Sequence, residues 1–202
     1  MTVRWSDQPW QAPPELDRGA DAAVEELRRR DSPSHDGLAA RLVAWRETES
    51  GGLELDLEPV RWALRLVDHA ETRSLTALCV VRTEDGRWLA GRRADWVASW
   101  AGRWALGAGG AVEVGENPAE TLTRELEEEW QLVPSSVSIK ALTAGPSGLA
   151  ALIAVATVPD DAEAIPDAEH DAWAWWPADV DAWPPEADER LCSLARVLAA
   201  AP

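Results

Sequence analysis

The sequence predicts an α+β fold: a mixed β-sheet sandwich flanked by helices, with a helical extension at the N-terminus. Three observations predict it. Apolar residues alternate with period two from Leu53 onward, and other segments repeat them at helical spacing. The two kinds of segment also follow one another without the regular βαβ rhythm of a parallel sheet.

Taken in order, Pro13-Pro14 precede Glu15 to Arg30, where Leu16, Ala20, Ala23, Val24 and Leu27 share one helical face. Ser32-Pro33-Ser34 should break that helix. A second short helix is expected from Gly37 to Trp45, and Glu47 to Gly52 reads as a polar linker. Residues 1–52 are therefore assigned to a helical extension and 53–202 to the main domain. Leu53, Leu55 and Leu57 alternate with acids. After Pro59 the alternation resumes out of phase at Val60, Trp62, Leu64 and Leu66, which suggests a bend or bulge at a sheet edge. Leu75 to Val81 is a buried-strand candidate, with a turn at Glu84-Asp85-Gly86 and a returning strand from Arg87 to Gly91. Val137 to Leu142, Leu149 to Val158 and Trp173 to Trp176 complete the strands. A last helix, from Glu186 to Ala200, shows Leu191, Leu194, Val197 and Leu198 on one face.

Composition excludes whole classes of partner. The net charge of -17 would repel nucleic-acid polymers and anionic membranes, though not a small anion approached through a divalent cation. There are 13 Trp but no Phe or Tyr, which fits a GC-rich coding sequence and places Trp where other proteins use smaller aromatics. Cys79 and Cys192 show no ligand spacing, and Cys79 reads as a buried free thiol. Residues 1–10 lack a signal-peptide core, and no apolar run reaches membrane-spanning length. A cytoplasmic protein is expected.

The chemistry concentrates in Gly109 to Leu132, GGAVEVGENPAETLTRELEEEWQL. Asn117 is a good N-cap, Pro118 suits the first helical position, and Glu120 can reach back to the cap. On helical spacing Ala119, Leu122, Leu126 and Trp130 form a core-facing stripe. Glu125, Glu128 and Glu129 converge on another, which is either a solvated acidic face, as expected in so acidic a protein, or a costly convergence that a hard cation compensates.

Gly110, Glu116, Arg124, Glu125, Leu126, Glu128, Glu129 and Leu132 resemble the Nudix box, G-x5-E-x7-R-E-U-x-E-E-x-G-U, with U a bulky aliphatic residue. One fixed position departs: Gln131 stands where the family has Gly, and Pro134 is expected to stop the helix instead. The AGRRA run, the Trp100 to Trp104 spacing and Trp173-Ala174-Trp175-Trp176-Pro177 extend the resemblance over roughly residues 72–198.

The resemblance implies a Nudix-like fold and a pyrophosphohydrolase acting on a small nucleoside diphosphate or other organic diphosphate, with Mg²⁺ (or Mn²⁺ in its place) as cofactor. Glu125, Glu128, Glu129 and Arg124 are the implied catalytic residues. Glu125, Glu128, Glu129 and the Gly109 carbonyl are implied metal ligands, joined by Glu169, for which Asp167 and Asp171 compete. The base is Glu125 or a carboxylate from a later loop, and Arg124 holds Glu116 or orients Glu128. Arg92, Arg93 and Trp104 are substrate candidates, with acid pairing and core packing as the alternatives. For His170 a surface position is the default over a base. Two other readings stand beside the hydrolase. One is a catalytically idle ligand-binding or regulatory module, against which the intact carboxylates argue. The other is an isoprenoid-diphosphate isomerase, for which neither cysteine sits in a suitable motif. A homodimer is left open.

Overall fold

The structure, a computed structural model, describes residues 1–32 and 36–200; Pro33 and Ser34, expected to break the first helix, lie outside the described residues. In chain order it contains β1 (Thr2–Trp5), α1 (Pro14–Arg29), β2 (Leu38–Glu47), β3 (Leu53–Arg61), β4 (Ser74–Thr83), β5 (Trp88–Arg93), β6 (Trp104–Leu106), β7 (Ala108–Ala111), α2 (Pro118–Trp130), β8 (Ser136–Ala144), β9 (Leu149–Val158), β10 (His170–Trp176) and α3 (Glu189–Ala200). The pairing is mixed, since β1 runs parallel to β3 while β2–β3, β5–β6 and β5–β10 are antiparallel. This is the α+β class with flanking helices. Among the described residues no helix is long and apolar enough to cross a membrane.

Contacts divide the chain into two compact units. Met1–Ala77 groups with Gly110–Thr121 and Leu142–Leu152; Leu78–Gly109 groups with Leu122–Ala141 and the chain from Ile153 onward. In the first unit the strand order is β1-β3-β2, and β2 meets the start of β4 at Arg41 opposite Ser74. Helix α1 buries Leu16, Ala20, Val24 and Leu27 and packs its stripe on Val60, Ala63 and Leu64. Arg61 ties this helix down through Asp21 at 2.7 Å and also pairs with Asp36.

Two expectations fail in this unit. Gly37 to Trp45 is not helical: Leu38–Glu47 is a strand paired along its length with β3, and Thr48 to Gly52 is the turn of that hairpin. Its Ala, Leu and Arg residues favour a helix locally, but the β3 ladder and burial of Ala39, Ala40 and Leu42 outweigh that preference. Nor does Pro59 mark the bulge. Pro59 faces Ala40 in regular register, beyond the end of β1, so its missing N–H costs no bond to that strand. The register shift lies in β2, between Leu42 and Ala44, and the phase change after Pro59 is a turn of 3₁₀ helix at Trp62–Leu66.

In the second unit β5 pairs with the end of β4, with β6 and with β10. Val80, Trp88, Ala90, Leu106 and Trp176 form a core with Leu191, Ala195 and Leu198 of α3. Val197, assigned to that face of α3, is instead 66% exposed; Ala195 takes the inward position.

Candidate active site

Helix α2 begins where its caps dictate. The Asn117 side chain accepts from the Ala119 amide at 3.1 Å, and the Glu120 carboxylate accepts from the Asn117 amide at 3.2 Å, a reciprocal capping box. Asn117→Ala should therefore lower stability by about 1 kcal/mol, read by denaturant titration, while leaving turnover at saturating metal intact. Leu122, Leu126 and Trp130 are fully buried, and the Trp130 indole N–H donates to the Gly107 carbonyl at 3.0 Å. With that stripe anchored, Glu125, Glu128 and Glu129 are aimed together.

The three carboxylates occupy different surroundings. Glu129 is only 5% exposed and accepts from the Gly109 amide at 3.2 Å. Burial raises its pKa well above the ordinary value, partly opposed by Arg93. Burial also raises Glu125, against the pull of Arg124 at 2.8 Å. Glu128 is exposed and 3.0 Å from Arg124. Arg124 meets Glu125 and Glu128. Glu116 accepts from the Thr121 hydroxyl at 2.6 Å and the Glu113 amide at 3.1 Å.

The chain before β10 supplies the remaining groups. It is stapled to the end of α2, where Ile165 N–H donates to the Trp130 carbonyl and Asp167 N–H to that of Glu129, two acceptors that a helix end leaves open. Glu169 lies 2.8 Å from Arg93, whose other nitrogen is 3.9 Å from Glu129. Asp167 instead accepts from the Glu169 amide and meets His170 Nδ1 at 3.2 Å, and Asp171 clasps Arg92 at 2.6 and 2.7 Å. The charge of Glu169 also acts on both Glu125 and Glu129, raising each.

A sequence model described as the NUDIX domain matches residues 72–191, more than half of the chain. The chain belongs to the NUDIX domain family. By class it is a pyrophosphohydrolase, and the family generally works with a divalent metal. No curated protein matches the chain. Among solved structures it is similar to DR0079 from Deinococcus radiodurans, at 18% identity and a TM-score of 0.51, over 63% of this chain and 83% of that one. It is also similar to the MutT NUDIX hydrolase from Burkholderia pseudomallei, at 20% identity and a TM-score of 0.51, over 62% and 97% of the two chains. Identities this low speak to the NUDIX fold alone.

Several residues sit differently from their sequence-based expectation. His170 is not on the surface: its side chain is 1% exposed and stacks on Trp130 at 4.4 Å, and Nε2 is 3.7 Å from Glu129. Gly91, opposite Trp173 across the β5–β10 ladder, makes room for this stack, since a Cβ there would come within 2.5 Å of His170 and 2.7 Å of Trp130. No local pattern marks His170, because strand pairing brings it in. Trp104 packs on Trp176 at 5.2 Å beside the core, which favours the packing alternative over substrate stacking. Burial pushes the Cys79 thiol up to about 12, so it is inert as a nucleophile near neutral pH.

The helix end also differs. Gln131 itself adopts the left-handed conformation of the family glycine, at φ 53°, and its N–H donates to the Glu127 carbonyl at 2.9 Å. Pro134 is not what stops the helix. Because this backbone strains any residue with a Cβ, Gln131→Gly should stabilise the NUDIX domain by about 1 kcal/mol, seen as a higher denaturant midpoint.

Proposed function

We propose that this chain is a cytoplasmic, Mg²⁺-dependent hydrolase that cleaves the diphosphate linkage of a small nucleoside or other organic diphosphate, with Mn²⁺ able to replace Mg²⁺. In this proposal residues 53–202 carry the catalytic domain and residues 1–52 extend it. The observation that carries it is one helix face that holds the buried Glu129 and the half-buried Glu125 beside the exposed Glu128, in an otherwise intact box. A buried carboxylate needs a compensating charge, and packing alone does not call for two more acids beside it.

The donor set fits a hard divalent cation. Carboxylates of Glu125, Glu128, Glu129 and Glu169, with the Gly109 carbonyl, offer only oxygen. Among the described residues no three His, Cys, Asp or Glu side chains form a ready cage. Mg²⁺ does not require one, because it is held by one or two carboxylates together with water and substrate phosphates. The bound ion would supply charge stabilisation to the phosphates and lower the pKa of water. Glu125, or a carboxylate of the loop before β10 such as Glu169, would accept the proton of the attacking water. Arg124 acts on the carboxylates, holding Glu125 and Glu128 in place. Of the substrate candidates, Arg92 pairs with Asp171, Arg93 with Glu169, and Trp104 packs on Trp176, so each already has a structural partner.

The test is hydrolysis of nucleoside and sugar diphosphates, read as phosphate released after a coupling phosphatase acts on the phosphomonoester products, with Mg²⁺ and with a chelator. Hydrolysis should appear only with the metal, which should also raise the thermal midpoint by binding the folded protein alone. Full activity in chelator, without metal-dependent stabilisation, would overturn the proposal.

A further inference from the structure

Arg93 is placed as a fixed cation facing carboxylates from two different elements. It is the last residue of β5 and pairs with His170 across the ladder. Its amide donates to the Arg103 carbonyl at 2.8 Å, and its own carbonyl accepts from Gly102 at 2.9 Å. The side chain therefore leaves a backbone that is held on both sides. It is 14% exposed, and its guanidinium reaches Glu169 at 2.8 Å from the loop before β10 and Glu129 at 3.9 Å from α2.

We propose that Arg93 is the internal counter-cation of this cluster and that a divalent cation binds by exchanging with it. This rests on the metal-dependent reading given above. Glu129 is buried, so whenever it is ionised its charge needs a neighbour of opposite sign. A guanidinium can serve because it stays charged and presents N–H groups in a fixed fork. A divalent ion would compete for the same oxygens, and two cations drawn to the same carboxylates would repel one another. Arg93 thus holds the carboxylates together in the metal-free protein and lowers metal affinity in doing so. The same residue was assigned from sequence only to substrate or to nearby acids; its place between Glu129 and Glu169 assigns it to the metal cycle.

The experiment compares the full chain with Arg93→Gln and Arg93→Lys by calorimetric Mn²⁺ titration, alongside thermal midpoints in chelator. Arg93→Gln should bind Mn²⁺ more tightly, on the order of tenfold, because the competing charge is gone. Arg93→Lys keeps the charge and should lie closer to the wild-type affinity. In chelator, Arg93→Gln should melt below wild type, and adding Glu129→Gln should recover part of that loss. Mn²⁺ affinity in Arg93→Gln that equals or falls below wild type overturns the exchange while leaving the metal site standing. A purely additive effect of the two substitutions on the metal-free protein overturns the counter-cation role. Absence of Mn²⁺ binding to the wild-type protein overturns the metal reading and the exchange together.

Discussion

Glu129→Gln is expected to lower kcat by about 10²-fold or more, whereas Glu127→Gln, two residues away on the same helix, should stay near wild type. The contrast follows from where the helix turns each side chain. Glu129 is almost fully buried against the Gly109 amide and within reach of Arg93, while Glu127 is exposed. Glutamine keeps the shape and the acceptor oxygen but not the charge that a hard cation needs. The metal-free variant should stay folded, because a desolvated charge and its repulsion with Glu125 and Glu169 are removed along with its attraction to Arg93. Steady-state kinetics at saturating Mg²⁺ and thermal melts in chelator separate the two effects. Small, equal changes in both variants would return the acidic stripe to a solvated helix face.

Gly107→Ala should cost about 4 kcal/mol or more and leave little folded protein at moderate temperature. Gly107 has φ +65°, and a Cβ built on it would lie 1.9 Å from the Cys79 carbonyl oxygen and 2.9 Å from Val80 Cα. Both obstacles are backbone of β4, so no rotamer change relieves them. The position also matters to the site, since Gly107 N–H donates to the Leu89 carbonyl and its own carbonyl receives the Trp130 indole. Any shift that accommodates the methyl group moves the anchor of α2. Soluble yield and circular dichroism on heating give the result. A variant melting within a few degrees of wild type would show that β4 and this turn can separate cheaply.

Helix α2 was legible because its determinants are local. Asn117, Pro118 and Glu120 set the start, and 3.6-residue spacing separates Leu122, Leu126 and Trp130 from Glu125, Glu128 and Glu129. The box motif lies in the same run, so family and reaction class could be read from one segment. Strand β4, strand β9 and helix α3 were legible for the same reason of strong short-range periodicity. Gln131 was visible as a departure, but not that it would accept the left-handed conformation in place of glycine.

Long-range pairing decided the rest. Strand β2 carries helix-favouring residues and becomes a strand only because β3 offers a ladder and the core takes Ala39, Ala40 and Leu42. His170 lies 40 residues beyond Trp130, and it is buried because β10 pairs with β5 over a glycine that leaves room for its ring. Glu169 and Arg93 were each noticed alone, yet their 2.8 Å pairing belongs to neither neighbourhood. The sequence by itself thus determined the helix, its caps and its carboxylate stripe, whose geometry repeats every few residues. Only the tertiary structure decided which cation faces those carboxylates, because charge interactions depend on distances set by strand pairing.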